Sequence, residues 1–298
     1  NSLFVMDISN SVVNGTYVDF ELELTTSSGY SKVIPFEIQI GRITDSDPSG
    51  PDEYGYYIYD SGDISYPLYP EYDWIEITGN SGGGQSLNFT DTGDGCYSSG
   101  GGWYGCNDLE GEDTSVLELP FPFQFYGIEY DEITISTNGW IAFGDREMSA
   151  FRNYSLPGAG GPSPMVAAFW DDLTTDSGGQ VYKYVTDDFV IIQWNNMRIH
   201  DHGGNNDRNT FQMILFNPSN PDHITPTGDG EIKIQYKEFT NISNGDYFQY
   251  TPIHGCYATV GIENHLGNVG LEYTFDNRYP LEAMELGDET AIYITTSL

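Results

Sequence analysis

A chain of 298 residues with 45 Asp plus Glu against 10 Lys plus Arg, a formal charge of −35, repels phosphate backbones and anionic membrane surfaces alike. Nucleic-acid binding is not expected, and with no run of about 18 apolar residues neither is membrane insertion. At 38% hydrophobic and 15% aromatic residues, with 35 glycines, the composition fits a packed protein of many short strands and turns.

The opening Asn1-Ser2-Leu3-Phe4-Val5 carries no basic-then-apolar leader and reads as the interior of a longer protein or a processed terminus. In Tyr17-Val18-Asp19-Phe20-Glu21-Leu22-Glu23-Leu24 apolar and acidic residues alternate, the period of a half-buried antiparallel strand. Val33–Gly41 is its partner across a turn at Ser27-Ser28-Gly29, so residues 1–44 are expected to be a short Ig-like β segment, the last strands of a small and partial domain. Residues 45–53, rich in Asp, Pro, Ser and Gly, form a linker.

Residues 54–298 are expected to form one large domain of antiparallel strands, with candidates at 54–59, 72–77, 86–89, 115–119, 132–136, 139–143, 165–169, 180–185, 188–194, 210–216, 230–236, 257–263, 269–275 and 290–296. Turn residues every 8–15 positions point to a sandwich or jelly roll. Asn138-Gly139 between apolar runs is the strongest hairpin signal, because both residues tolerate positive φ. Only Leu281–Leu286 has a pattern that suits a helical turn or two. The fold class is therefore all-β: a large antiparallel sandwich preceded by the Ig-like segment.

Catalytic signals are weak. No Gly-x-Ser-x-Gly elbow stands between a strand and a helix. His254-Gly255-Cys256 runs straight into a strand without the α/β scaffold that presents a Cys–His pair, so Cys256 reads as an inert buried thiol. Asp171 and Asp172 are adjacent and point to opposite faces, unlike the facing carboxylates of a glycosidase; one carboxylate is expected to accept loop amides while Trp170 fills the core. His200, Asp201, His202 and Asp207 are zinc-type ligands, but they occupy a Gly/Asn-rich loop that is polar in any case.

Calcium suits the acidic loops better, since it takes six to eight hard oxygens. The candidate ligands are Asp91 and Asp94; Asn107 and Asp108 with Glu110, Glu112 and Asp113; Asp45 and Asp47 with Asp52; and Asp60 with Asp63. Cys96 and Cys106 bracket a short Gly/Ser/Tyr/Trp loop that a disulfide would close, implying an oxidising compartment. Within that loop Trp103 and Tyr104 are candidates for stacking on a sugar. Sequons stand at Asn14, Asn88, Asn153 and Asn241.

Several segments together resemble a known family: Gly50-Pro51-Asp52-Glu53-Tyr54-Gly55-Tyr56-Tyr57, Pro120-Phe121-Pro122-Phe123-Gln124-Phe125-Tyr126-Gly127, Ser136-Thr137-Asn138-Gly139-Trp140-Ile141-Ala142-Phe143-Gly144, Ala168-Phe169-Trp170-Asp171-Asp172-Leu173 and Gly261-Ile262-Glu263-Asn264. Over about residues 48–296 the chain resembles the non-catalytic β-rich region that accompanies gingipain-like cysteine peptidases and some subtilisin-like peptidases. Its Phe-Trp-Asp-Asp segment is loosely similar to nidogen-type extracellular modules. The resemblance implies a secreted or cell-surface location within a multidomain precursor whose chemistry lies in a separate peptidase domain, so no catalytic residue carries over. The expected function is an extracellular accessory, adhesion or assembly module, with self-association by strand addition making a filament or surface-layer subunit. The alternative is a carbohydrate-binding module, with a glycan or a surface protein as partner.

Overall fold

The computed structural model describes residues 5–9, 12–91, 97–99, 102–104, 114–146, 148, 151–176, 178–200, 208–242 and 255–298. The strands in chain order are β1 (Tyr17–Thr25), β2 (Ser31–Gln39), β3 (Tyr57–Asp60), β4 (Gln85–Ser86), β5 (Tyr97–Ser99), β6 (Gly102–Tyr104), β7 (Thr114–Phe125), β8 (Ile128–Ser136) and β9 (Trp140–Phe143). They continue with β10 (Met165–Trp170), β11 (Leu173–Thr174), β12 (Gln180–Val185), β13 (Phe189–Ile199), β14 (Arg208–Phe216), β15 (Ile232–Glu238), β16 (Thr259–Glu263), β17 (Gly270–Thr274) and β18 (Thr290–Thr295).

Two antiparallel sheets face each other. One runs β17-β16-β10-β9-β8-β7; the other runs β3-β18-β15-β14-β13-β12-β4, with β11 paired to β13. Alternation along each strand sends one set of side chains into the shared core: Ile133, Ile135, Ile141 and Phe143 from the first sheet meet Ile192, Trp194, Phe211, Met213, Ile234 and Ile292 from the second. Polar atoms of core aromatics also cross the gap. Trp194 Nε1 donates to Ser136 O (2.7 Å) and Tyr236 OH to Ala168 O (2.8 Å). The fold is all-β, as the alternation requires; among the described residues no helix is long and apolar enough to cross a membrane.

Part of the outer face of each sheet is covered as well. Leu156 packs on Trp140, Met165 and Trp170 over the six-stranded sheet. Residues 61–79 cross the eight-stranded sheet as a strap, burying Ile77 against Ile191 and Ile214. The stretch 72–77, expected as a strand, belongs to this strap and joins no ladder. Its alternation arises because it lies on the face of a sheet, and the Gln235 amide replaces a neighbouring strand, accepting from Asp73 N (2.6 Å) and donating to Asp73 O (2.9 Å). Leu281–Leu286 forms turns and irregular structure in place of a helix: Tyr273 OH donates to Met284 O and Met284 N to Asp60 Oδ2, pinning the backbone from outside.

The Asn138-Gly139 turn joins β8 to β9, with Ile135 opposite Ile141. Gly139 has φ +75°, and its carbonyl accepts from both Ala168 N and Phe169 N at 3.0 Å. A Cβ there would lie 1.9 Å from Phe169 O. Gly139→Ala is therefore expected to cost about 2–4 kcal/mol in a denaturant titration, with Gly144→Ala, which has the same φ sign but an open surround, costing less.

β1 and β2 form a separate two-stranded sheet with Phe20 opposite Phe36. Its base is tied to the sandwich: Val13 is buried with Tyr57 and Tyr59, and Asn14 Nδ2 donates to Asp47 Oδ1 (2.9 Å).

Candidate functional site

Buried carboxylates converge at one end of the sandwich. Asp91 follows β4, Thr137 and Asn138 occupy the β8–β9 turn, Asp171 and Asp172 follow β10, and His200 follows β13. Asp91, Asp171 and Asp172 are all fully buried. The Thr137 hydroxyl donates to the Asp91 carboxylate. Asp91 N donates to Thr175 Oγ1 (2.9 Å), whose own hydroxyl and amide return to Asp91 O (2.8 and 2.9 Å). Asn138 Oδ1 accepts from Leu173 N (2.8 Å), Asp171 Oδ1 accepts from Asp172 N (2.8 Å), and Asp172 Oδ2 lies 3.1 Å from His200 Nδ1.

These bonds fasten the 89–91 segment, the β8–β9 turn and the β10–β11 corner into one polar hub, while Trp170 is buried against Leu156 and Met165 as expected of it. Burial, with the Asp172 charge adding to it and one backbone hydrogen bond opposing it, pushes the Asp171 carboxyl up to about 8, so it holds a proton at neutral pH. The hub can thus keep a proton and orient His200. All three carboxylates are buried, whereas His200, about a fifth exposed, and Thr175 reach partway to solvent.

The remaining candidates are dispersed. Asp47 is buried, accepting from Asn14 Nδ2, Thr44 N and Thr44 Oγ1 (2.9, 2.7 and 2.7 Å) and from Tyr66, while Asp45 stands exposed nearby in sequence. Burial alone would raise the Asp47 carboxyl, but these hydrogen bonds outweigh it and hold it below the usual range. Asp52 accepts from Tyr54 N, Gly55 N, Tyr56 N and Tyr126 OH. Asp60 accepts from Gly62 N, Tyr273 OH and Met284 N, and Asp63 caps Asp60 N. Among the described residues no three His, Cys, Asp or Glu side chains are placed to hold an ion.

Asp94, Asn107, Asp108, Cys96 and Cys106 lie outside the described residues, as do Glu110, Glu112, Asp113, Asp201, His202, Asp207 and His254. Trp103 and Tyr104 lie on β6, opposite Ser98 and Tyr97 of β5. Cys256 is half-buried, its backbone N–H donating to Asp276 Oδ1 (3.0 Å). The run Gly79-Asn80-Ser81-Gly82-Gly83 does spell Gly-x-Ser-x-Gly, but it follows the strap and opens a single helical turn, Gly79–Gly82, and so lacks the strand–turn–helix frame of a nucleophile elbow.

Sequence reasoning missed a second class of residue, the acid that staples a distant loop. Asp229 accepts from Tyr54 OH (2.7 Å) and Gly127 N (2.8 Å), Glu231 from Thr295 Oγ1 (2.7 Å) and Tyr293, with His223 Nδ1 at 2.8 Å, and Glu263 from Gly158 N (2.9 Å) and Ser163. The joint abundance of 23 Tyr and 45 acids was the available signal.

A search of curated proteins and of solved structures finds no match to the chain. The model of the family described as NIDO related matches residues 89–285, which span the polar hub and most of the sandwich, well over half of the chain. The loose likeness of the Phe169-Trp170-Asp171-Asp172 segment to nidogen-type modules is thereby extended to a whole domain: the chain belongs to the NIDO-related family.

Proposed function

We propose that this chain is a non-catalytic extracellular module that attaches proteins to one another at a cell surface, acting beside the peptidase of a gingipain-like or subtilisin-like multidomain protein. NIDO-related domains are typically extracellular. The observation that carries the reading is the contrast between the two ends of the molecule. The acids of the hub are buried and bonded to the fold, whereas the β1–β2 hairpin projects an amphipathic surface with none of its residues buried. Polar groups spent on internal hydrogen bonds are unavailable for turnover, while an uncovered strand pair is suited to binding.

The test is a panel of quenched peptide and chromogenic glycoside substrates with the purified chain. No turnover is expected; turnover that follows the protein through repurification and disappears in His200→Ala overturns the reading. A second reading, glycan binding, is favoured by the register of β5 and β6, which sets Tyr97 directly opposite Tyr104 with Trp103 next along β6. Glycan-array binding lost in Trp103→Ala supports it, and flat binding counts against it.

A further inference from the structure

Among the described residues β1 and β2 pair only with each other, so each keeps one outer edge. The register settles which groups point outward. Pro35, opposite Glu21 in mid-ladder, has no N–H, which places this pair among those whose backbone groups face away from the partner strand. Backbone groups of Tyr17, Asp19, Glu21, Glu23 and Thr25 therefore point along the free edge of β1, an unbroken row without Pro or Gly, whereas Pro35 interrupts the free edge of β2.

One face of the ribbon is apolar: Val18 opposite Ile38, Phe20 opposite Phe36, Leu22 opposite Ile34, with the two phenyl rings stacked at 5.5 Å. Phe36 and Leu24 are each 43% exposed, so this face is not covered by the sandwich. The other face carries Asp19, Glu21 and Glu23 in succession, and Asp19 stands directly opposite Glu37, a like-charge pair that weakens the hairpin on its own.

We propose that the free edge of β1 is a docking strand for an extended segment of another protein in which apolar and basic residues alternate. Its apolar residues would continue the Val18–Phe20–Leu22 face, its cations would stand beside Asp19, Glu21 and Glu23, and its backbone would complete the edge ladder. Charge decides against a second copy as the occupant. Two β1 edges side by side bring acids against acids, and apolar–basic stretches of the chain itself lie inside the sandwich: Ile232-Lys233-Ile234 of β15 is paired on both sides by β14 and β18, and Tyr182-Lys183 of β12 by β13 and β4. The same acids that repel a second copy select a basic partner.

The inference rests on the attachment reading and deepens it by naming the partner's chemistry. It is tested by fluorescence anisotropy of the whole chain with a labelled nine-residue peptide of alternating Val and Lys, and with the Val/Glu counterpart as control. The Val/Lys peptide is expected to bind saturably, at least about tenfold more tightly than Val/Glu, and more weakly at high salt. Glu21→Pro, which removes an outward N–H without touching a β1–β2 bond, is expected to abolish binding while the melting midpoint of the sandwich stays in place. Glu21→Lys is expected to weaken Val/Lys and strengthen Val/Glu.

No binding, equal binding of the two peptides, or undiminished binding by Glu21→Pro overturns the proposal. So does a concentration-dependent dimer in sedimentation that Glu21→Pro dissolves, since that makes a second copy the occupant. Substrate turnover would overturn the attachment reading and leave the peptide result standing.

Discussion

Replacing Trp194 with alanine is expected to lower the unfolding free energy by about 3–5 kcal/mol, the range for emptying a buried aromatic site. For a domain of this size that moves the melting midpoint down by roughly 10 °C. Two effects add at this position. The indole is fully buried and stacked on Phe211 at 5.0 Å, so its removal leaves a cavity between the sheets. Its Nε1 donates to Ser136 O at the end of β8, so the same change leaves a buried carbonyl on the opposite sheet without its donor. Trp194→Phe keeps the stacking and loses the hydrogen bond, and is expected to cost about 1–3 kcal/mol. Calorimetry on the three proteins separates the cavity from the bond; equal losses for the two variants would mean that the carbonyl alone matters.

The second large effect depends on pH. Asp171 has a folded-state pKa pushed up to about 8 from an ordinary 3.8, chiefly by burial. Between those values the folded protein holds a proton that the unfolded chain has released, so this group makes stability fall as pH rises from about 4 to about 8 and adds no slope above that. Asp171→Asn keeps an oxygen for the Asp172 amide and never ionises. The variant is expected to match the native protein near pH 4 and to exceed it at pH 9 by an amount on the order of a few kcal/mol. Urea titrations across that range provide the check, and parallel profiles for the two proteins would place the ionisation elsewhere. Glu231 acts with the opposite sign: burial raises its pKa, but hydrogen bonds from His223, Tyr293 and Thr295 outweigh this and lower it, so its contribution is lost as pH falls through the folded value.

How far the sequence spoke depended on the range of the interaction. The β1–β2 hairpin and the β8–β9 turn were legible because alternation and Asn-Gly turn chemistry act over a few residues. The strap at 72–77 alternates just as a strand does, and the partners that distinguish a segment lying on a sheet from one lying in it are remote, Gln235 for Asp73 and Ile191 with Ile214 for Ile77. The segment expected at 86–89 shrinks to Gln85–Ser86, because Phe89 N turns instead to the Gln180 side chain. At the hub, Asp91 and the Trp170-Asp171-Asp172 run stood out in the sequence, but their convergence did not. Thr137 reaches Asp91 across 46 positions and Tyr54 reaches Asp229 across 175, separations at which no spacing rule operates.

The pairing of β3 with β18 has a mechanical consequence. Tyr57, which opens β3, stands opposite Thr295, which ends β18, so once the bridge of Ser49 to Ile58 has parted, tension entering through β3 and leaving through β18 is applied at the same end of a single antiparallel ladder. The bonds of that ladder are then loaded one after another instead of together, as in a zipper pulled from its open end. Under stretch the β3–β18 seam is where the sandwich should first give way, peeling Tyr57 from Thr295 and then Ile58 from Ile294 while the inner strands still hold.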